Sequence, residues 1–145
     1  MSARELFENI RSERREIQEI TDRIEKAETI AAGTKTILPQ PVIVHVNKTG
    51  SAMEEAAIEA VELQKILYDR KKQLLQDMGK AEHIISQIRC ADYRRVITAY
   101  YITGNIRRRM EDIALEIPCS ESTAWRCFRK GMKAAEDIYS KVDRE

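Results

Sequence analysis

The side chains best suited to chemistry lie in the last third of the chain, where basic and polar residues recur at helical spacing. Residues 121–130 favour a helix, and its outward face would carry Glu121, Ser122, Trp125, Arg126 and Arg129. Basic side chains on such a face bind phosphate or read guanine, and a carboxylate accepts a hydrogen bond from the cytosine amino group. The full set of candidate DNA contacts is Ser120, Glu121, Ser122, Trp125, Arg126, Arg129, Lys130, Arg107 and Arg108. This pattern makes double-stranded DNA the leading candidate partner.

Several of these side chains have a second role that the sequence leaves open. Trp125 could contact a base or sugar, or it could pack against the helix that precedes the motif. Arg126 and Arg129 could each read guanine or hold only phosphate. The basic triplet 107–109 could hold phosphate, or it could be a solvated helix start, where positive charge opposes the helix dipole.

Two short helices joined by a tight turn would position this face. Pro118 ends the first helix, because it has no amide hydrogen and its ring blocks the preceding turn. Ser120 is placed to cap the second helix. The inward apolar positions are Ile113, Ala114, Ile117, Cys119, Ala124 and Cys127. With a preceding helix over residues 93–102, the segment predicts a three-helix domain that contains a helix-turn-helix motif; a three-helix unit with a purely structural role is the alternative.

The first half of the chain predicts two long helices, each with one apolar stripe. Ser2 with Glu5, and Ser51 with Glu54, have the spacing of capping boxes at the two helix starts. The first stripe is Leu6, Ile10, Ile17, Ile20, Ile24, Ala27 and Ala31. The second stripe is Met53, Ala57, Ala60, Leu67, Leu74, Met78, Ala81, Ile85 and Ile88, with Gly79 as a candidate break. Alternating spacings of four and three are typical of coiled coils.

The expected fold is all-α: a long antiparallel, coiled-coil-like helical hairpin followed by a small C-terminal three-helix domain. The hairpin region is 1–88, with an extended connector at 33–50 that contains Pro39 and Pro41, and the DNA-binding region is 89–145. Two helices make a thin core, so pairing with another copy into a dimer or tetramer is favoured. The alternative is that the stripes pack on each other and on the C-terminal domain within one chain.

Composition excludes several classes of function. The chain has 145 residues, of which 34% are charged, and a net charge of +1, so it is not a basic DNA coat. Its three cysteines lack metal-ligand spacing, and no Gly-rich phosphate loop or nucleophile motif is present. The sequence therefore predicts no enzyme activity, no metal and no cofactor. No apolar run approaches the length of a membrane span, and the protein is expected in the cytoplasm.

The C-terminal third resembles region 4 of sigma-70-type factors over the run YRRVITAYYITGN…MEDIALEIPCSESTAWRCFRKGMKAAEDI. The matching residues are Tyr100, Tyr101, Gly104, Ile113, Ala114, Ser120 and Thr123. Pro118 departs from the pattern, which usually has Gly at the first turn position. The whole chain is similar in its length, helical N-terminal region and Pro-containing connector to phage transcriptional regulators of the RinA and ArpU type.

This resemblance implies a regulator of phage or prophage genes that binds a promoter or operator and activates late genes, inside a bacterial host cell. The likeness to sigma region 4 also implies contact with RNA polymerase. Two other functions fit the same sequence features. One is a small DNA-packaging subunit of the terminase type, which would form large rings, and the other is a coiled-coil protein–protein adaptor that does not bind DNA.

Overall fold

Every regular element of the described chain is a helix, which confirms the expected all-α fold. A computed structural model describes residues 1–33 and 46–143, with side chains described for 1–33 and 52–142. The elements are α1 (Ala3–Ala31), α2 (Val46–Ser86), α3 (Ala91–Ile97), a π-helical turn (Thr98–Ile102), α4 (Met110–Glu116) and α5 (Glu121–Asp143). None of these helices is long and apolar enough to cross a membrane.

Local signals set both ends of α1. The Ser2 hydroxyl accepts the Glu5 backbone N–H at 3.2 Å, and the Glu5 carboxylate accepts the Ser2 N–H at 3.4 Å. This is the predicted capping box, which satisfies two amides that the first turn leaves unpaired. The helix ends at Ala31, and Gly33 follows with φ of 67°, a left-handed conformation that glycine adopts without steric cost.

The start and the continuity of α2 differ from the expectation. The helix begins at Val46, so the predicted start at Ser51 is wrong and residues 46–50 are not part of an extended connector. Residues 34–45 of that connector, with both prolines, lie outside the described residues. Gly79 does not break the helix, since one glycine costs only about 1 kcal/mol in a helix that packing supports.

Residues 16–72 form one compact unit, here called the hairpin unit. Glu16 pairs with Arg70 at 2.7 Å, and Arg23 pairs with Glu59 at 3.3 Å. Because the partner's number falls along α2 as the number rises along α1, the two helices run antiparallel, as predicted for the hairpin.

The seam of α2 in the hairpin unit is shifted from the predicted one. Ala56 and Leu63 are buried, whereas the predicted Ala57 is exposed, as is the interrupting Gln64. The spacing 53, 56, 60, 63, 67 also alternates by three and four, and it has an apolar residue at every step. Neighbouring alanines at 56 and 57 made the two alternations look alike, and only the packing on α1 distinguishes them.

Residues 1–15 and 73–145 form the second compact unit, here called the core unit. Its buried core includes Leu6, Phe7, Ile10, Ala81, Ile84, Ile85, Ile88, Val96, Ile97, Tyr101, Met110, Ile113, Ala124, Phe128, Met132 and Ala135. The packing therefore does not follow the predicted boundary at residue 88, because the start of α1 and the end of α2 complete the core of the C-terminal helices. The roles predicted for regions 1–88 and 89–145 stay predictions.

Within the core unit, two hydrogen bonds join the start of α1 to α5. The Glu136 carboxylate accepts the backbone N–H of Ala3 at 3.2 Å and that of Arg4 at 2.8 Å. A carboxylate at this end of a helix pairs with otherwise unsatisfied amides and with the positive end of the helix dipole. This contact joins residues more than 130 positions apart in the chain.

A π-helical turn extends α3 and places two tyrosines. The Thr103 N–H donates to the Thr98 carbonyl, five residues back, at 2.9 Å. Gly104 follows with φ of 78°, a left-handed conformation that glycine adopts without steric cost. The helix expected over residues 93–102 begins earlier, at Ala91, so Asp92 lies inside its first turn.

Candidate nucleic-acid interface

The predicted helix-turn-helix is present as α4, a short turn and the beginning of α5. The first helix ends at Glu116, ahead of Pro118, and the Cys119 N–H donates to the Ala114 carbonyl at 2.8 Å. The Ser120 hydroxyl accepts the Thr123 N–H at 3.2 Å, which confirms Ser120 as the cap of α5. No residue of the turn has positive φ, so Pro118 stands where glycine's freedom is not needed.

The inward side of the motif is anchored by more residues than the sequence indicated. Ile113 and Ala124 are fully buried and Ala114 nearly so, as predicted. Ile117, Cys119 and Cys127 are half-buried against the core rather than enclosed by it. Met110, Phe128, Met132 and Ala135 are also buried. Phe128 was missed although it lies four residues after Ala124, the spacing of one helix face.

The outward side of α5 carries most of the predicted DNA contacts. The exposed residues among them are Ser120, Glu121, Ser122, Arg126, Arg129 and Lys130. Lys133, also exposed, extends the basic series by one further turn. Glu121 lies in the first turn, where a carboxylate is favourable with the helix dipole. The structure thus brings together on one helix a polar N-terminal turn and a basic stretch behind it.

Trp125 packs against its neighbours in the core unit. Its ring lies edge-on to Phe128, with centroids 5.7 Å apart, and edge-on to Tyr100 at 6.4 Å. Tyr100 belongs to the π-helical turn, so this is the predicted packing against the preceding helix. Trp125 is half-buried and keeps part of its surface exposed beside Arg126.

The basic triplet before α4 is divided between solvent and internal contacts. Arg107 is exposed, and its backbone N–H donates to Asn105 Oδ1 at 2.9 Å. Arg108 is half-buried, forms an ion pair with Glu116 and lies over Gly104. A phosphate contact by Arg108 would have to replace that ion pair, whereas Arg107 has no such competitor among the described ion pairs.

Two arginines of α1 hold the segment that leads into the motif. Arg14 donates to the Tyr101 carbonyl at 2.8 Å and to the Gly104 carbonyl, and burial lowers the pKa of its guanidinium. The Arg11 guanidinium lies 4.5 Å from the centre of the Tyr100 ring and donates to its hydroxyl. Sequence patterns did not indicate these contacts, because they join residues nearly ninety positions apart.

Tyr101 is a fully buried aromatic residue beneath the motif. Its ring stacks on Phe7 with centroids 5.2 Å apart, and its hydroxyl donates to Glu8 at 2.9 Å. Burial is the main cause of a strongly raised pKa of Tyr101, and the hydrogen bond to Glu8 adds to it. Tyr101 therefore stays a neutral donor at physiological pH and joins α1 to the π-helical turn.

The described residues contain no cluster of His, Cys, Asp and Glu side chains that could hold a metal ion. The exposed face of α5 offers hydrogen-bond donors, one carboxylate and positive charge, a combination suited to binding an anionic polymer with a patterned surface. Neither family models nor curated proteins nor solved structures include a match to this chain.

Proposed function

We propose that the protein is a sequence-specific DNA-binding regulator of transcription. One observation carries the proposal: α5 exposes Glu121, Ser122, Arg126, Arg129 and Lys130 while its opposite side is locked into the core. A rigid helix with this exposed face can enter a major groove with its first turns at the base edges.

The contacts are divided along the helix in this proposal. Arg126 and Glu121 lie in the first two turns and read base edges, Arg126 at guanine and Glu121 at cytosine. Arg129, Lys130 and Lys133 lie farther along α5 and contact phosphates, as Arg107 does from the loop before α4. Trp125 contacts the sugar–phosphate backbone with its exposed edge, since its other side is packed.

The resemblance to sigma region 4 supports a role in transcription, and the resemblance to RinA and ArpU regulators supports a phage or prophage origin with activation of late genes. Every residue that carries the first resemblance lies in the core unit beside the motif, where Tyr101 and Ile113 are buried and Ser120 caps α5. We extend the proposal to contact with RNA polymerase, to the bacterial cytoplasm as its place of action, and to a homo-oligomer on a promoter or operator.

The decisive experiment selects binding sites from a pool of random duplexes and then measures affinity for the selected site and for unrelated DNA. Arg126→Ala should weaken binding to the selected site by about 1–3 kcal/mol and relax specificity at one position, if Arg126 reads a base. If it touches only phosphate, both duplexes should weaken alike, and the slope of log affinity against log salt should fall by about one.

Arg15→Ala is the matched control, because it removes the same charge from an exposed position on α1. It should leave affinity, specificity and salt slope unchanged. Failure of selection to enrich any sequence, together with salt-independent binding, would refute the proposal and leave the protein–protein adaptor. A particle mass of eight or more chains would instead support the packaging subunit.

A further inference from the structure

The hairpin unit carries a second heptad pattern that its own packing does not use. It consists of Ile58, Val61, Lys65, Tyr68 and Lys72 on α2, here called the outer stripe. Ile58 is 60% exposed, Val61 53% and Tyr68 70%. Spacings of three and four repeat along it, as on a coiled-coil face. Such a row of large apolar side chains on a solvent-facing helix marks an interaction surface.

The outer stripe is separate from the intrachain seam. The seam residues Ala56, Ala60 and Leu63 are buried, and the outer stripe lies nearly half a turn around the helix axis from them. The exposed part of α1 in the same unit is mainly polar and charged, so it offers no equivalent surface. Among the described side chains of the hairpin unit, the large exposed apolar ones therefore lie on α2.

We propose that the outer stripe binds the outer stripe of a second copy of this chain, with the two α2 helices antiparallel. In antiparallel coiled coils each a position packs against a d position of the partner. Ile58, Lys65 and Lys72 take one of these positions, and Val61 and Tyr68 take the other. Lys65 then lies across from Val61 or Tyr68 of the second copy, depending on the register, and covers that side chain with its methylene stem, with the ammonium group at the edge.

Charge complementarity selects a second copy and this orientation. Glu62 and Asp69 are exposed and directly follow Val61 and Tyr68, so they flank the positions that face the partner's lysines. Lys65 meets the partner's acid at 62 or at 69, whichever antiparallel register is adopted. A parallel pair would place Lys65 against Lys65 and Lys72 against Lys72, which is unfavourable. The stripe is thus complementary to itself in one orientation.

This inference does not rest on DNA binding, and it is tested on the full chain without DNA. Sedimentation equilibrium should give twice the chain mass of 16.8 kDa, or a larger even multiple. Val61→Lys and Tyr68→Lys should each weaken self-association at least about 100-fold, because each replaces an apolar side chain in the contact with an ammonium group that faces a lysine or an isoleucine of the partner. The far-UV circular dichroism spectrum of each variant should remain that of a helical protein, since both side chains are exposed in the single chain.

Ile66→Lys is the matched control, since Ile66 is 46% exposed on the same stretch of α2 but off the outer stripe. The mass of this variant in solution should equal that of the parent. A monomeric parent at all concentrations would overturn the proposal. So would an unchanged mass of the two stripe variants, or an equal loss of self-association caused by Ile66→Lys.

A charge exchange tests the orientation, and it stays informative if the apolar variants unfold. Replacing Lys65 and Lys72 by Glu should weaken self-association at least about tenfold, and adding Glu62→Lys with Asp69→Lys should restore it. A mixture of isotopically labelled and unlabelled chains, joined by a carbodiimide, should yield interchain amide bonds between Lys65 and Asp69 or Glu62. Absence of rescue, or absence of such mixed links in a dimeric parent, contradicts the antiparallel pairing.

Discussion

Tyr101 in the core unit shows how burial keeps a phenol hydroxyl protonated. Tyr101 is 1% exposed, and its hydroxyl reaches Glu8. An ionised phenolate there would lose hydration and face a carboxylate, so folding favours the protonated form and raises the pKa above the ordinary value of 10.0. The contact that Tyr101 makes with α1 is therefore present throughout the neutral range.

The pH dependence of stability should report this residue. A pKa raised by folding contributes stability that is present below pH 10 and is lost as the pH rises above it. The loss should be about 1.4 kcal/mol for each pH unit while the folded state alone keeps the proton. We expect the free energy of unfolding of Tyr101→Phe to fall less steeply above pH 10 than that of the parent, as measured by urea denaturation.

Tyr139→Phe serves as the control for that measurement, because Tyr139 is only half-buried and lies outside the outer stripe. Its pH profile should run parallel to that of the parent. If the free energy of unfolding depended on pH in the same way for the parent and for Tyr101→Phe, that result would contradict a buried Tyr101 with a raised pKa. At neutral pH, Tyr101→Phe should be less stable by about 1 kcal/mol, the usual net value of one hydrogen bond.

At the scale of helices, two glycines in helix interiors have opposite surroundings. A Cβ at Gly79 would have no atom within 4 Å, whereas a Cβ at Gly131 would lie 2.6 Å from Ile97 Cδ1 and 3.1 Å from Tyr93 Cβ. Gly131 therefore allows α5 to approach α3 closely, while Gly79 serves no visible packing purpose.

Alanine at these two positions should change stability with opposite signs. Gly79→Ala should raise the free energy of unfolding by about 0.5–1 kcal/mol, because alanine loses less backbone entropy in a helix. Gly131→Ala should lower it by about 1–3 kcal/mol, since the core must shift to admit a methyl group. Urea denaturation of both variants checks this pair, and a change of the same sign in both would contradict the described approach of α5 to α3.

The features predicted from sequence are those that rest on local contacts. Helix caps depend on residues within a few positions of each other, so the caps at Ser2 and Ser120 could be predicted from the sequence. The left-handed glycines, Gly33 and Gly104, are local features of the same kind. The helix-turn-helix face followed from periodicity in the same way. Which face of α2 is buried could not be predicted in this way, because the adjacent alanines at 56 and 57 fit two different heptad alternations. Only the packing on α1 distinguishes these alternations.

The contacts by which α1 supports the helix-turn-helix motif leave no local pattern in the sequence. Arg11 and Arg14 looked like ordinary charged residues on a solvated helix face, yet they contact Tyr100, Tyr101 and Gly104. Such contacts appear only when residues nearly ninety positions apart are brought together. The sequence likewise did not decide whether Trp125 packs against the protein or faces a partner, because that depends on where Tyr100 and Phe128 lie.

At the scale of the whole molecule, the exposed face of α5 rests on a unit built from residues 1–15 and 73–145. Fragment 89–145 lacks Leu6, Phe7 and Ile10 and the end of α2, which belong to the same buried core. We expect this fragment to show some helical signal but no cooperative thermal transition, as followed by circular dichroism, because those apolar surfaces would be exposed.

A rearranged chain provides the control. Residues 73–145 followed by a short Gly/Ser linker and residues 1–15 contain the entire core unit, and Glu136 already contacts Ala3 and Arg4 near the new junction. This protein should melt cooperatively and keep the DNA affinity of a single motif. A cooperative transition in fragment 89–145 alone would show that α1 is dispensable to the unit.

The contact of α1 with Glu136 has a consequence for synthesis on the ribosome. Residues 1–15 leave the exit tunnel well before α5, whose Glu136 carboxylate accepts the backbone N–H groups of Ala3 and Arg4. The hairpin unit can fold in the interval, and its ion pair holds Glu16 close to Arg70. That ion pair shortens the loop that the core unit must close and lowers the entropic cost of closing it. The exposed face of α5 thus gains its support from α1 only once α5 itself has been synthesised, when the hairpin has had time to form.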